Sequence, residues 1–117
     1  MDARPALGRA GESAACDLYR RAGFTIVERN YRCSAGEIDV VARRGDTVVF
    51  CEVKTRMTER WGEPYEAVDH RKRARLRRLA AIWLGERRPG PVEVRFDIVS
   101  VIVRGARLQV AHMPDAF

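Results

Sequence analysis

Two short β segments, joined by a turn sequence, constrain the fold of this chain more than any other feature. The segments run from Glu37 to Arg43 and from Val48 to Thr55, and Arg44-Gly45-Asp46-Thr47 connects them. A two-residue turn at Gly45-Asp46 is typical of a β-hairpin and places Arg44 opposite Thr47. The sequence therefore predicts an antiparallel hairpin whose pairing follows, residue by residue, from this turn.

Pairing outward from the turn brings four charged residues to the far end of one hairpin face. Asp39 falls opposite Glu52, and Glu37 falls opposite Lys54. Opposed residues share a face because side chains alternate along each strand. The other face is apolar and is predicted to be a core surface, formed by Ile38, Val40, Ala42, Val49, Cys51 and Val53.

The opposed acids at this end of the hairpin predict a metal site. Opposed Cβ atoms lie about 5 Å apart, so Asp39 and Glu52 repel each other unless a cation lies between them. Mg²⁺ suits such a site because it binds few protein carboxylates and bridges them to phosphate oxygens. Lys54 points the same way and would hold or deprotonate a water beside the metal. The alternative is a surface ladder of ion pairs, in which Glu37 pairs with Lys54 and Asp39 with an arginine.

The two lysines are informative because the chain otherwise uses arginine. Lys54 and Lys72 are the only lysines among the 22 basic residues. A lysine can lose its proton when it is buried near a reacting centre, whereas an arginine stays charged. Lys72 lies on the inward stripe of a predicted helix. From there it either reaches the charged end of the sheet or extends its stem so that its ammonium lies in water.

Glu12 is a further candidate from the first predicted helix. Small residues surround it in Gly8-Arg9-Ala10-Gly11-Glu12-Ser13-Ala14-Ala15. Small neighbours allow a helix to approach a sheet closely, so Glu12 would add another carboxylate to the metal site. The alternative is an ordinary exposed helix residue.

Net charge is +6, and the excess lies in one segment. Residues 71 to 88 contain eight basic side chains and one acid, so this segment alone carries a charge of +7. A local basic patch is typical of a surface that binds a polyanion such as nucleic acid, although a solvated helix face has the same composition. The candidate nucleic-acid contacts are Arg71, Lys72, Arg75 and Arg78.

The apolar periodicity predicts one mixed α/β domain spanning residues 1–117, with elements in the order α-β-β-β-α-β-β. Helices are expected from Pro5 to about Ala22 and from about Glu66 to Glu86, and an exposed loop from Thr58 to Gly62. The central part of the sheet is expected to be a meander. The predicted strands run from Phe24 towards Arg32, Glu37 to Arg43, Val48 to Thr55, Val92 to Val103, and Arg107 to Ala111.

Composition excludes several other classes of protein. No apolar run approaches the roughly 20 residues that cross a bilayer, and the N-terminus lacks the apolar stretch of a secretory signal. Cys16, Cys33 and Cys51 cannot all pair with one another, and none belongs to a Cys-x-x-Cys motif. Reduced thiols are therefore expected, in a cytoplasmic protein without a structural zinc site or a membrane anchor.

One sequence pattern resembles the PD-(D/E)-x-K nuclease signature of the restriction-endonuclease-like fold. In this pattern Asp39 is followed, after twelve residues, by Glu52-Val53-Lys54. With Glu12 added, the pattern is similar to that of archaeal Holliday-junction resolvases. The segments around this pattern are closer still to the YraN family of uncharacterised bacterial proteins. These segments are Gly11-Glu12-Ser13-Ala14-Ala15, Gly36-Glu37-Ile38-Asp39 and Phe50-Cys51-Glu52-Val53-Lys54-Thr55-Arg56. Ile38 stands where the signature has its proline.

The resemblance implies a role for each matched residue. Asp39 and Glu52 would ligate Mg²⁺ or Mn²⁺, with the backbone carbonyl of Val53 as a further ligand. Lys54 would position the attacking water and stabilise charge on the phosphorus, and Glu12 would support the metal or its water.

The function so implied is a metal-dependent endonuclease that acts on structured or branched DNA, as a homodimer if it follows its resolvase relatives. Two other functions stay open. One is a nucleic-acid-binding protein of the same fold without catalytic turnover, and the other is an adaptor whose basic helix binds an acidic protein. The sequence gives no role for Glu37 or Asp97.

Overall fold

The computed structural model describes residues 4–57 and 70–117, with side chains from Leu7 onwards. The predicted order of elements is confirmed in these residues, whereas the predicted loop from Thr58 to Gly62 and the predicted helix start at Glu66 lie outside them. Of the described helices, neither combines the length and apolar character needed to cross a bilayer. The elements are α1 (Arg4–Arg21), β1 (Thr25–Cys33), β2 (Gly36–Arg44), β3 (Thr47–Arg56), α2 (His70–Arg87), β4 (Glu93–Arg104) and β5 (Arg107–Met113).

The strands form one mixed sheet in the order β1-β2-β3-β4-β5. Strands β3 and β4 are parallel, and every other neighbouring pair is antiparallel. Two parallel neighbours need a crossover connection, and the segment that contains α2 makes it. The predicted hairpin register is confirmed, with Arg44 opposite Thr47 and Val40 opposite Cys51. Gly45 has a φ of 58° in the turn, a conformation that glycine adopts without steric cost.

Helix α1 covers one face of the sheet and α2 covers the other. Each helix buries residues at three- and four-residue spacing, which keeps them on one stripe. The core under α1 contains Ala15, Cys16, Tyr19, Phe24, Val40, Ala42, Val49, Cys51, Val99 and Val101. The core under α2 contains Tyr31, Ile38, Val41, Val48, Phe50, Leu76, Leu79, Ala80 and Trp83.

The predicted position of Ile38 is wrong, and the reason bears on the site. Ile38 was expected to share a face with Val40, but it packs under α2 with Tyr31, whereas Val40 packs under α1. Residues two apart in a regular strand share a face, so the alternation of β2 changes at Asp39. Asn30, which lies at the corresponding point of β1, has a φ of 54° in the left-handed region. Strands β1 and β2 are therefore irregular together at this point.

The β2–β3 ladder also ends where this irregularity begins. Its last pair is Val40 with Cys51, whereas β3 remains paired with β4 as far as Arg56. Strand β2 thus departs from β3 at Asp39, and a gap opens within the sheet. The predicted cross-strand pairs that lie beyond the end of the ladder are Asp39 with Glu52 and Glu37 with Lys54.

Candidate functional site

Asp39 occupies the gap between β2 and β3. Its Oδ2 accepts a hydrogen bond of 2.8 Å from the backbone N–H of Val53, so the side chain joins the two strands beyond the end of their backbone ladder. Asp39 also lines two cavities. One lies on the α1 side with Glu12 and Thr55, and the other lies on the α2 side with Glu52. Asp39 therefore borders a cavity on each face of the sheet.

Three carboxylates converge in this gap. Glu12 from α1 and Glu37 and Asp39 from β2 each place a carboxylate oxygen within 4.8 Å of the other two. All three residues are half-buried. Carboxylates this close repel one another when ionised, and partial burial removes much of the water that would screen them. A proton or a bound cation would lower this repulsion.

Gly11 explains how Glu12 reaches the sheet. A Cβ at this position would lie 3.1 Å from Cβ of Thr55 on β3, and closer still to the Thr55 hydroxyl. Helix α1 can therefore pack this close to β3 only because position 11 has no side chain. The small residues expected to allow a close approach do so, and Glu12 is half-buried rather than exposed.

Glu52 faces the α2 side of the gap. It lines a cavity of about 230 Å³, and burial raises its pKa, although the positive charges of Lys54, Lys72 and Arg75 act against that rise. Glu52 is close to the three converging carboxylates but is not one of them. The full lining of this cavity is Glu37, Asp39, Glu52, Lys72, Arg75, Leu76 and Leu79.

The pKa of Asp39 reflects this crowding. Burial raises it from its ordinary value of 3.8 to about 7, and the charges of Glu52, Glu12 and Glu37 act in the same direction. The hydrogen bond from the backbone of Val53 opposes them but is outweighed. Asp39 is therefore partly protonated at neutral pH, and a cation bound beside it would displace that proton.

The two lysines of the chain meet at this site. Close contact with the side chain of Lys72 is the largest cause that lowers the pKa of Lys54, because two ammonium groups repel each other, and burial acts in the same direction, whereas Glu52 raises the pKa. Lys72 is half-buried and lines the cavity on the α2 side. Of the two alternatives for Lys72, the structure therefore supports the one in which it reaches the charged end of the sheet.

The predicted nucleic-acid contacts on α2 fall into two groups. Lys72 and Arg75 line the cavity, whereas Arg71 and Arg78 are exposed on the helix surface outside it. Gly36 at the start of β2 makes room for the first group. It has a φ of 136°, and a Cβ there would lie 3.3 Å from Cδ of Arg75. The basic helix thus supplies charge both inside the site and beside it.

The alternative of a surface ion-pair ladder does not describe the observed contacts. Glu37 pairs with Arg32 of β1 at 3.4 Å, and Asp39 bonds to a backbone amide rather than to an arginine. Glu37 is the functional candidate that the sequence did not assign. The available signal was its place two residues before Asp39 on the same strand.

Asp97, the other carboxylate without a predicted role, lies away from the gap. It is fully buried, and burial alone would raise its pKa, but hydrogen bonds from Arg95, Tyr19 and His112 hold the pKa below its usual value. The backbone N–H of Asp115 donates a further bond of 2.9 Å. These contacts join α1, β4, β5 and the C-terminal segment, which is a structural role.

The donor set of the gap suits a hard divalent cation. Glu12, Glu37 and Asp39 offer carboxylate oxygens, with Glu52 beside them, and the group contains no thiolate or imidazole. Oxygen donors of this kind favour Mg²⁺, Mn²⁺ or Ca²⁺ over zinc or copper. The residues present therefore fit the metal that the resemblance implies.

The fold and site define a mixed α/β protein whose five-stranded sheet opens at an acidic gap beside a basic helix. Residues 11–101 match the model of the uncharacterised protein family UPF0102. The chain belongs to this family, which confirms the YraN-type resemblance. A UPF0102 protein of Streptomyces griseus is 55% identical over 109 residues, covering 91% of this chain and 92% of that protein. A UPF0102 protein of Frankia alni is 52% identical over 118 residues, covering 100% of this chain and 98% of that protein. A UPF0102 protein of Geobacter metallireducens is 43% identical over 111 residues, covering 95% of this chain and 91% of that protein.

Proposed function

We propose that this protein is a metal-dependent endonuclease of restriction-endonuclease-like fold that hydrolyses phosphodiester bonds in structured or branched DNA. The observation that carries the proposal is the convergence of Glu12, Glu37 and Asp39 to within 4.8 Å, with Lys54 on the neighbouring strand. Acids this close call for a cation, and a divalent cation held by a few carboxylates still has positions for phosphate oxygens and water. Phosphodiester hydrolysis uses a cation that binds the phosphate and the attacking water together.

The proposed ligands of Mg²⁺ or Mn²⁺ are Asp39, Glu52 and the backbone carbonyl of Val53, with Glu12 and Glu37 supporting the ion or its water. When bound, the ion would supply positive charge for the phosphate and make water more acidic. The side chain of Asp39 is already held in place by the amide of Val53. Little reorganisation of this carboxylate is therefore needed for binding.

Lys54 would hold the attacking water and stabilise the negative charge that develops on the phosphate oxygens. It extends from the same strand as Glu52, two residues further on, so both side chains point to the α2 side of the sheet. Preorganised charge of this kind accounts for a large part of the rate enhancement in phosphoryl transfer. Lys54 is thus the proposed catalytic residue that acts on the reacting atoms.

Helix α2 would bind the DNA backbone beside the cleaved bond. Arg71 and Arg78 are exposed and face solvent, where they can contact phosphates without regard to base sequence. Arg75 reaches into the cavity and would contact a phosphate next to the site. Recognition through phosphates alone reads the shape of the DNA, which is consistent with a structured or branched substrate.

The test is a panel of four-way junctions, flaps, gapped duplexes, linear duplexes and single strands, incubated with the purified full chain and Mg²⁺ or Mn²⁺. Wild type is compared with Asp39→Ala, Lys54→Ala and the control Asp46→Asn, which changes an exposed acid in the turn of the same hairpin. Cleavage by wild type and the control, lost in both site variants and in EDTA, supports the proposal. Lys54→Ala is expected to retain nearly all of its DNA binding.

A nucleic-acid-binding protein without turnover is the second candidate, and the exposed Arg71 and Arg78 favour it because they lie outside the acidic gap. Binding of DNA with no cleavage of any member of the panel, with either metal, would support that function and refute the endonuclease. The crowded acids weigh against it, since carboxylates beside DNA phosphates weaken binding unless a metal is present.

A further inference from the structure

The two edges of the sheet differ in how they are protected. At one edge, β1 has a bulge between Ile26 and Glu28 and a positive φ at Asn30. Glu28 and Arg32 also place charges on this strand. Charged side chains and irregular backbone keep an edge strand from pairing with another strand. At the other edge, β5 is regularly paired with β4, and its segment Leu108–Met113 contains no Lys, Arg, Asp or Glu. The edge formed by β5 therefore lacks these protections.

The turn before β5 determines which of its backbone groups face outward. A two-residue turn joins β4 to β5, so Arg104 and Arg107 form a hydrogen-bonded pair. From Arg107 onwards, every second residue directs its N–H and C=O towards β4. The residues between them direct these groups away from the sheet, and they are Leu108, Val110 and His112. Within the part of the chain that the structure describes, no strand pairs with this outer edge.

An apolar groove runs along the same edge, between α1 and β5. Its volume is about 450 Å³, and its lining is Ala14, Leu18, Arg21, Ala22, Val110 and His112. Leu108 is 46% exposed and Val110 is 37% exposed. Both side chains lie on the α1 face, since Val101, which pairs with Val110, packs under α1. Exposed apolar side chains beside an unpaired strand edge are typical of an interaction surface.

We propose that β5 pairs with β5 of a second copy of this chain, antiparallel about a two-fold axis at Val110. In this register Leu108 lies opposite His112 of the second copy, and each outward N–H has a carbonyl to bond. Shifting the register one way would place Pro114, which has no N–H, opposite an outward residue. Shifting it the other way would use Ala106 of the turn. The register at Val110 is thus the one that bonds every outward group of β5.

The two-fold axis also makes the ends of β5 complementary in charge. Arg107 begins the strand, and Asp115 follows two residues after its end at Met113. Antiparallel pairing places Arg107 opposite Met113 of the second copy and near its Asp115, within reach of a long side chain. The α1 faces of both copies then lie on the same side of a continuous sheet, so Leu108 and Val110 of each copy lie beside the groove of the other. A second copy therefore fits the backbone edge, the groove and the charges together.

The test is sedimentation velocity of the full chain, without DNA or metal, at concentrations from about 1 to about 200 µM. A single edge strand with its groove makes a small interface, so a dissociation constant in the micromolar range is expected. Wild type should change from monomer to dimer as its concentration rises. A chain that stays monomeric throughout would overturn the proposal and would leave the β5 edge to a strand of a different protein.

A matched pair of variants locates the interface. Val110→Lys places two like charges at the axis and should weaken dimerisation about a hundredfold. The control is Val27→Lys, the same change at an exposed valine of β1, which should dimerise like wild type. Both side chains are exposed, so both variants should keep the melting temperature of wild type at the lowest concentration. A dimer that tolerates Val110→Lys, or that Val27→Lys disrupts, would overturn the proposal.

A second pair of variants tests the register. Arg107→Glu turns two symmetric attractions with Asp115 into repulsions and should weaken dimerisation about tenfold. Arg107→Lys keeps the charge and should dimerise like wild type. An Arg107→Glu variant that dimerises as well as wild type would show that the register at Val110 is wrong. Because dimerisation is measured without substrate or metal, its outcome is independent of the cleavage assay for the proposed endonuclease.

Discussion

Replacing Asp39 by asparagine should stabilise the folded protein at neutral and alkaline pH. Asparagine has the shape of aspartate, and its amide oxygen can still accept the hydrogen bond from the Val53 N–H. It cannot ionise, so it removes one of the charges that Glu12, Glu37 and Glu52 repel. A site that is costly to the fold but retained in the sequence is typical of a functional centre, where activity is obtained at the expense of stability.

The magnitude follows from the pKa of Asp39. That pKa rises from 3.8 to about 7 on folding, so the folded protein binds the proton more tightly than the unfolded chain does. Protonated Asp39 causes no penalty below pH 3.8. The penalty grows as the pH rises to about 7 and then stays constant at about 4 kcal/mol. Asp39 and the neighbouring acids titrate as a coupled group, so the repulsion is divided among them. We therefore expect Asp39→Asn to raise the free energy of unfolding by about 2–4 kcal/mol at pH 8.

The assay is urea unfolding of wild type and Asp39→Asn in EDTA at several pH values from 4 to 8. The gain of the variant should be largest at pH 8 and should disappear towards pH 4. Asp46→Asn is the matched control, because Asp46 is 89% exposed at the turn of the same hairpin and its replacement should change little at any pH. An Asp39→Asn variant that is no more stable than wild type at pH 8, or whose gain does not depend on pH, would refute the reasoning.

Four further outcomes are expected. Mn²⁺ at ten times its Kd should stabilise wild type by about 1.4 kcal/mol and should leave Asp39→Asn unchanged, as thermal unfolding would show. Gly11→Ala should cost about 1–3 kcal/mol of stability and weaken Mn²⁺ binding measured by calorimetry, because the new methyl group forces α1 away from β3. Changing Arg75 and Arg78 to Glu should weaken binding to every DNA in the panel and flatten the salt dependence, and unchanged affinity would show that the patch does not bind DNA. Asp97→Asn should cost about 2 kcal/mol at pH 7. Since the pKa of Asp97 is lowered on folding, that cost should shrink as the pH falls below 3.8.

The sequence predicted the hairpin because local chemistry determines it. The Gly45-Asp46 turn sets the register, because a two-residue loop pairs Arg44 with Thr47 and every further pair follows in order. The pairing from Arg44 with Thr47 to Val40 with Cys51 therefore follows from adjacent residues alone. The close approach of α1 was one of two interpretations of the small residues around Glu12, because such residues also occur on an ordinary exposed helix face.

Three features of the site could not be predicted from local pattern. The face of Ile38 depends on the irregularity at Asn30 and Asp39, and although asparagine tolerates a positive φ, a single asparagine within a strand does not locate such an irregularity. The absence of Glu52 from the closest group of carboxylates depends on the departure of β2 from β3 beyond Val40, since the strand pattern placed Glu37, Asp39 and Glu52 together on one face. The contact between the two lysines depends on where α2 packs across the sheet, which is a tertiary property of many distant residues.

The irregularity at Asp39 also brings the two sides of the site together. In a regular ladder Asp39 would face one side of the sheet only, and Glu12 near α1 would be separated from Glu52 and the cations near α2 by a continuous layer of paired backbone. Because β2 leaves β3 after Val40, the carboxylate of Asp39 borders both cavities. Under the proposed function, a metal ion held by the carboxylates and a phosphate beside Lys54 would then both lie next to Asp39. Phosphodiester hydrolysis needs that proximity, since the metal and the ammonium group of Lys54 must act on the same phosphate.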